Sequence, residues 1–352
     1  MGIIVSLLIL SFLIFFHELG HFTAARLFGV QVDVFSIGFG KKLFRKMIGK
    51  TEWSISAIPL GGYVKMKGQD DSDPGNVSYD PDSYTTKKPW QRIVILLAGP
   101  FANFLFAFFL YFAIANIGIP KLLPTIGKIG TDTPAQQAGL QKGDSILAIN
   151  LTPVKYWEDI GKLINNTTGT PIHVLIERGN ERMDLRVSPR MIEDKNVFEE
   201  PIHRRIIGIT PSGEQTTVNY GVGKGIDYAW NETKKASVLI FKSVQKLLTG
   251  AVGADKLGGV ITIVDITAQA SHAGLVALLF FTALISVNLG VLNLLPIPAL
   301  DGGHIMFNLY EMIRGKAPSE EVLYRLTMGG WALLIGLMFL GLYNDINRLI
   351  GG

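Results

Sequence analysis

The chain has 352 residues, 48% of them hydrophobic and 18% charged, with a mean hydropathy of +0.32. That balance excludes a single soluble globule and points to a membrane protein. The net charge of +4 comes with no Lys/Arg run dense enough for a phosphate-binding stripe, so nucleic acid is not an expected partner. Without cysteine, any metal site must use His, Asp, Glu or other oxygen ligands.

Four stretches are apolar and long enough to span a bilayer: residues 2–28, 93–119, 274–295 and, the shortest, 328–343. The first has neither a basic leader nor a small-residue cleavage site, so it is expected to be retained rather than cut as a signal peptide. The loop after it contains "TEWSISAIPLGGYVKM", residues 51–66, where two strand-like runs flank Pro59, Leu60, Gly61 and Gly62. This reads as a β-hairpin centred on those four residues, apolar enough to dip between the spans and associate with the membrane. The same loop and the one between spans three and four are rich in Lys and Arg, which makes them cytoplasmic and both termini external.

Residues 120–273 are too long for the positive-inside rule and read as a folded outer domain. It contains the short β-type runs "TIGKIG", "SILAIN", "IHVLIERG", "RMDLRV" and "RRIIGIT". Residues 226–252 set apolar positions at helical spacing with Lys between them, as in a helix that lies on the membrane or clamps the bundle. The expected division is therefore 1–119 for the first half of the membrane core, 120–225 for the outer domain, 226–272 for an amphipathic linker or clamp, and 273–352 for the second half.

The chemistry concentrates in "HELGH", residues 17–21, inside the first span. On a helix His17 and His21 fall one turn apart on one face, with Glu18 beside them. Ionisable groups in a bilayer are costly and mark function. Two imidazoles suit zinc, which in a catalytic site takes a third protein ligand and keeps a position open for water; Glu18 is the matching general base. The third-ligand candidates in or beside spans are Asp301, His304, His272 and Asp345. At about 1.5 Å per residue, His17 lies roughly 20 Å into a core of about 30 Å, toward its cytoplasmic end. Span three runs parallel to span one and is ended by Pro296 and Pro298, so Asp301 and His304 emerge at the depth of the histidines. His272 and Asp345 fall near the outer side, and on depth alone Asp301 and His304 both remain open.

"NLLPIPALDGGH", residues 293–304, resembles the second signature of the site-2 protease family of intramembrane zinc metalloproteases, an Asn, two prolines and Leu-Asp-Gly. The match falls on Asn293, Pro296, Pro298, Leu300, Asp301 and Gly302. The resemblance implies Asp301 as the third zinc ligand with His17 and His21, Glu18 as the catalytic residue, and a supporting role for Asn293 at the substrate backbone. "LAGPFAN", residues 97–103, is similar to the family's Gly-Pro-x-x-Asn element, which implies that Asn103 lines the site. "GGYVKM" is similar to its membrane-associated hairpin, which implies that Gly62, Tyr63 and Val64 belong to an edge strand offered to the substrate.

"PAQQAGLQKGDSILAIN", residues 134–150, resembles the PDZ domains of membrane and periplasmic proteases, over about residues 122–190. That leaves room for one copy, where the best-known members of the RseP-like branch carry two. The resemblance therefore implies a polytopic α-helical membrane protein with four transmembrane helices, an inserted mainly-β PDZ-like domain and a membrane-associated β-hairpin. The implied activity is that of a zinc metalloendopeptidase in a bacterial inner membrane, with the PDZ-like domain and both termini periplasmic. It would perform regulated intramembrane proteolysis of transmembrane proteins, of the anti-sigma factor or remnant signal peptide type, in contact with membrane lipid. The alternative from another class is a zinc-binding scaffold or transporter that recruits partners through the PDZ domain. Transport needs no base beside the ligands and favours further ionisable groups across the bilayer.

Overall fold

The structure, a computed structural model, describes residues 2–69, 78–167 and 171–351. The elements of the first third are α1 (Gly2–Leu27), β1 (Val32–Ile48), β2 (Thr51–Met66) and α2 (Pro89–Ile117). There follow β3 (Ile119–Leu122), β4 (Ile126–Ile129), α3 (Pro134–Gln137), β5 (Ser145–Ile149), β6 (Thr152–Pro153), α4 (Trp157–Asn166), β7 (Ile172–Arg178) and β8 (Glu181–Val187). Then come β9 (Arg190–Lys195), β10 (Pro201–Ile206), β11 (Ile209–Pro211) and β12 (Gln215–Val218). The last are α5 (Gly221–Leu248), α6 (Val260–Ala273), α7 (Leu275–Asn293), α8 (Asp301–Arg314) and α9 (Glu320–Gly351). The chain forms two compact units, Met1–Ile114 with Val222–Gly352, and Ala115–Gly221.

In the first unit α1, α2, α7 and α9 are long and apolar enough to cross a membrane. Helices suit these segments because lipid offers the backbone no hydrogen-bond partners, so each must satisfy its own. Small residues set the packing. A Cβ on Gly20 would stand 2.1 Å from the Ala98 carbonyl oxygen, so α1 and α2 meet backbone to backbone. Ser286 of α7 donates to the Asn103 carbonyl of α2 at 2.8 Å. At the start of α2, Arg92 donates to Glu311 of α8 at 2.6 Å, which ties α8 to α2.

Two helices differ from the sequence expectation. The fourth span runs from Glu320 to Gly351, beyond the apolar core expected at 328–343, because its polar end has partners. Asp345, 2% exposed, accepts from the amides of Gly259, Ile261 and Thr262 at 2.9–3.1 Å and from the Thr262 hydroxyl. It thereby caps the N-terminus of α6, a common task for Asp, and lies away from the histidines. Residues 226–272 are accordingly more than an amphipathic linker: α5 is followed by the separate helix α6, which carries His272 near its C-terminal end.

The hairpin also turns elsewhere than expected. β1 and β2 form one antiparallel ribbon that reverses at Gly49 and Lys50, with Ile48 opposite Thr51. Gly49 has φ +63°, as the first residue of a two-residue loop favours. The Pro59–Gly62 signal makes a bend inside β2 instead, opposite Gly38 and Gly40, whose φ values are +88° and +82°. The bent ribbon folds onto itself. Val34 to Ile37 pair antiparallel with Lys65 to Gly62 on one side; on the other they lie beside Glu52 to Ile55, both numbers rising together. Among the described residues, 62–66 thus carry a ladder partner on one side only. Phe35, wholly buried, stacks on Trp53 with ring centroids 4.4 Å apart and anchors the sheet.

The second unit is built on the antiparallel sheet β6-β5-β7-β8, with the pairs β4 and β11, β3 and β12, and β9 and β10. Its core joins Ile126, Ile146, Ile149, Ile172, Val174 and Ile176 to Ile160 and Ile164 of α4. A turn at Lys142, Gly143 and Asp144 leads into β5, with Gly143 at φ +93°. Asp144, 1% exposed, accepts from the Gln141 amide at 2.7 Å and from the Arg178 guanidinium at 2.7 and 2.8 Å. Burial works to raise this carboxyl, but the Arg178 hydrogen bonds and the Gln141 amide outweigh it and hold it below its ordinary value of 3.8. A depressed carboxyl stabilises the fold above its ordinary value and loses that contribution as pH falls through the folded one. Asp144→Asn should therefore cost about 2 kcal/mol at pH 7. The gap to the parent should shrink below pH 3.8, as thermal unfolding at the two pH values will measure.

Candidate metal centre

His17 and His21, 7% and 6% exposed, sit one turn apart on α1, and their Nε2 atoms are 3.2 Å apart. Asp301, the first residue of α8, sets Oδ2 at 3.2 Å from His17 Nε2 and Oδ1 at 3.4 Å from His21 Nε2. A tetrahedral zinc with ligand bonds of about 2.0–2.1 Å has ligand-to-ligand edges of about 3.3 Å. The three separations, two of them made by different oxygens of Asp301, are each close to that edge length. Among the described residues these three form the group of metal-ligating side chains close enough to share an ion.

The surroundings fit a cation as well. His21 Nδ1 lies 2.9 Å from the Ile95 carbonyl oxygen. Only a protonated nitrogen can donate there, so Nε2 keeps its lone pair for a metal. Asp301 Oδ2 is buried and receives no hydrogen bond, as suits an oxygen that faces a cation. A Cβ on Gly99 of α2 would lie 2.2 Å from His21 Nε2 and 2.9 Å from His17 Cε1, so the absence of a side chain leaves room for both rings.

Local chain chemistry brings Asp301 to this point. Pro296 and Pro298 deny α7 a continuation beyond Asn293. The turn that follows is closed by Ile297 N donating to the Leu295 carbonyl at 2.7 Å and Leu300 N to the Ile297 carbonyl at 2.8 Å. Gly302 and Gly303 then pass under it, where added Cβ atoms would lie 2.2 Å from the Leu295 oxygen and 2.3 Å from the Ile297 oxygen. From α9, Gly330 packs on the same turn, its Cβ position 2.7 Å from Ala299 N.

The other residues singled out in the sequence divide. Asn293 brings its amide nitrogen to 3.4 Å from His17 Nε2. Gly62 lies against the helix, its Cβ position 3.3 Å from Glu18 Cγ and 2.8 Å from Ile14 Cγ2. Tyr63 stacks on Phe39 at 6.2 Å, and Val64 packs on the cluster of Ala24, Ala25, Val30 and Val32. Asn103 has no exposed surface, and its amide faces the outer nitrogen of His17, Nδ1, at 3.1 Å. His304 lies one turn past Asp301, its ring against Phe307 at 5.8 Å, outside the ligand group. The family resemblance matched Gly99 as the glycine of the Gly-Pro-x-x-Asn element without implying a role for it, and nothing in the sequence signalled the Ile95 carbonyl.

Because an alanine methyl at position 99 would stand 2.2 Å from His21 Nε2 and force that ring to move, Gly99→Ala should lower zinc affinity by about tenfold or more, equivalent to about 1.4 kcal/mol. Its helical circular dichroism should remain that of the parent. Full zinc content by elemental analysis would contradict this steric assignment.

Comparison with known proteins agrees with the geometry. The model of peptidase family M50 matches residues 5–337. A candidate zinc metalloprotease of Campylobacter jejuni is 48% identical over 98% of this chain and 93% of its own. One from Helicobacter pylori strain J99 is 43% identical over 99% of each chain, and one from Agrobacterium fabrum is 35% identical over 99% of this chain and 96% of its own. A match over nearly the full length, centred on a ligand set with the dimensions of a zinc site, establishes that the chain belongs to peptidase family M50, the site-2 proteases, as a multi-pass membrane zinc metalloprotease.

Proposed function

We propose that this protease is an intramembrane endopeptidase that cleaves an unwound stretch of a substrate's transmembrane segment, held as an added strand beside Glu18. The observation that carries the reading is the approach of Gly62 to Glu18, its Cβ position 3.3 Å from Glu18 Cγ, at the start of a strand segment that is paired on one side only among the described residues. A transmembrane helix hides its amides in its own hydrogen bonds, and strand addition gives the unwound backbone replacement partners.

In this mechanism His17, His21 and Asp301 hold the zinc. When bound, zinc supplies Lewis acidity toward the scissile carbonyl and makes water easier to deprotonate. Glu18 takes the proton from the attacking water and delivers it to the leaving amine. Asn293, 3.4 Å from His17 Nε2, donates toward the oxygen of the carbonyl under attack. Gly62, Tyr63 and Val64 hold the substrate backbone.

The ribbon itself is read as membrane-associated. Leu43, Phe44, Met47 and Ile48 are all more than half exposed and alternate with Lys41, Lys42, Arg45 and Lys46, a composition suited to apolar lipid and anionic headgroups together. We assign residues 120–225 to a PDZ-like domain on the periplasmic side of an inner membrane, with both termini on that side, from the basic loops 41–50 and 314–325. An RseP-like role in regulated intramembrane proteolysis follows, with anti-sigma factors or remnant signal peptides as the substrate class. A transporter or scaffold would leave the base Glu18 without a task.

One assay with a helical transmembrane substrate tests the reading. Glu18→Gln should abolish cleavage while zinc content stays at the parent level, and short membrane fragments should accumulate in native membranes. Val64→Pro, which breaks the strand, should slow cleavage of that substrate by about tenfold or more, equivalent to about 1.4 kcal/mol. A substrate with helix-breaking residues at the cut site should suffer less. Equal loss on both substrates would assign the effect to a damaged fold, and no loss on either would remove the strand from the mechanism.

A further inference from the structure

We infer that Asn103 acts on His17 rather than on substrate: it is a positioning residue whose amide oxygen fixes the imidazole with its proton on Nδ1 and its lone pair on Nε2. The inference rests on the ligand set His17, His21 and Asp301. His17 Nε2 points at Asp301 Oδ2 and His21 Nε2, both at 3.2 Å. A nitrogen that binds a cation there carries no proton, so the proton of neutral His17 is on Nδ1 and must be donated. The group facing Nδ1 is the Asn103 amide at 3.1 Å. Its NH2 end cannot accept that proton; its oxygen can, and a half-turn of the amide exchanges the two. Asn103 Oδ1 is the buried atom of this side chain that lacks a partner.

Two further features fit a fixed support and not a substrate contact. Asn103 has no exposed surface, so it cannot touch a substrate that enters from outside the packed helices. Its backbone is pinned, since its carbonyl accepts from Ser286 of α7 at 2.8 Å. The two histidines are thus served by the same helix in parallel ways. Ile95 of α2 supplies a carbonyl to Nδ1 of His21, and one side chain further along α2 supplies an amide oxygen to Nδ1 of His17.

The test compares Asn103→Ala, Asn103→Leu and Asn103→Asp for zinc affinity, measured by competition with a chelator in detergent, with cleavage left aside. Loss of the accepting group should raise the zinc dissociation constant by about 10- to 100-fold in the first two, the usual effect of removing an outer partner of a ligating histidine. Asn103→Asp keeps an acceptor in the same place and should stay within about threefold of the parent, since a carboxylate on a zinc-bound imidazole is a common arrangement. Thermal unfolding of the zinc-free forms separates a folding defect from a metal defect: the Ala and Leu effects count only at parent-like midpoints, and the Asp rescue stands by itself. Unchanged zinc affinity in Asn103→Ala, or loss in Asn103→Asp equal to that in Asn103→Ala, would overturn the inference. A parent protein that binds no zinc would instead refute the ligand set on which it rests.

Discussion

Three ligand atoms must come within about 3.3 Å of one another to hold a tetrahedral zinc, and here they come from helices packed in an apolar bundle. Ordinary side chains would keep those helices 8–10 Å apart. The constraint is met by removing side chains where backbones must meet. Gly20 lets α1 touch α2 at Ala98, Gly99 leaves room for the His17 and His21 rings, and Gly302 and Gly303 let α8 start beneath its own preceding turn. The apolar character of the spans inserts them; these four positions make a metal centre within them.

The rest of the unit keeps that approach in place. Asp345 caps α6 from the far end of α9, while Gly330 in the same helix leans on the turn before Asp301. Arg92 and Glu311 tie α8 to the start of α2, the helix that supports His21 through the Ile95 carbonyl. A partly buried ion pair adds little net stability, but it fixes relative position, and position is what a ligand set built from separate helices requires. The ribbon of β1 and β2 bends so that a one-sided strand lies against Glu18.

Much of this was legible in the sequence for physical reasons. Long runs of Leu, Ile and Phe can only be spans, and HExxH at helical spacing puts two imidazoles on one face. Depth arithmetic reduced the third ligand to Asp301 or His304, and family resemblance chose the Asp that lies with the histidines. What failed was non-local. The proline and glycines at 59–62 are a genuine turn signal, yet they bend a strand, because the reversal is made by the inconspicuous Gly49 and Lys50. The helix α6 was missed because its cap comes from Asp345, far along the chain, the strands β9 and β12 because they are short and largely polar, and β3 because it is four residues long and starts on the last residue of the expected second span. The Asn103 amide, expected to line the site, faces Nδ1 of His17. No spacing rule reveals which side of an imidazole a distant amide will reach.

The central claim is that α8 completes the centre through its first residue and not through the histidine one turn later. Elemental analysis of purified Asp301→Ala and His304→Ala proteins, each checked for parent-like helical content, tests it most directly. The account predicts zinc well below the parent level in Asp301→Ala and at the parent level in His304→Ala. Zinc retained in Asp301→Ala and lost from His304→Ala would contradict it and move the third ligand to His304.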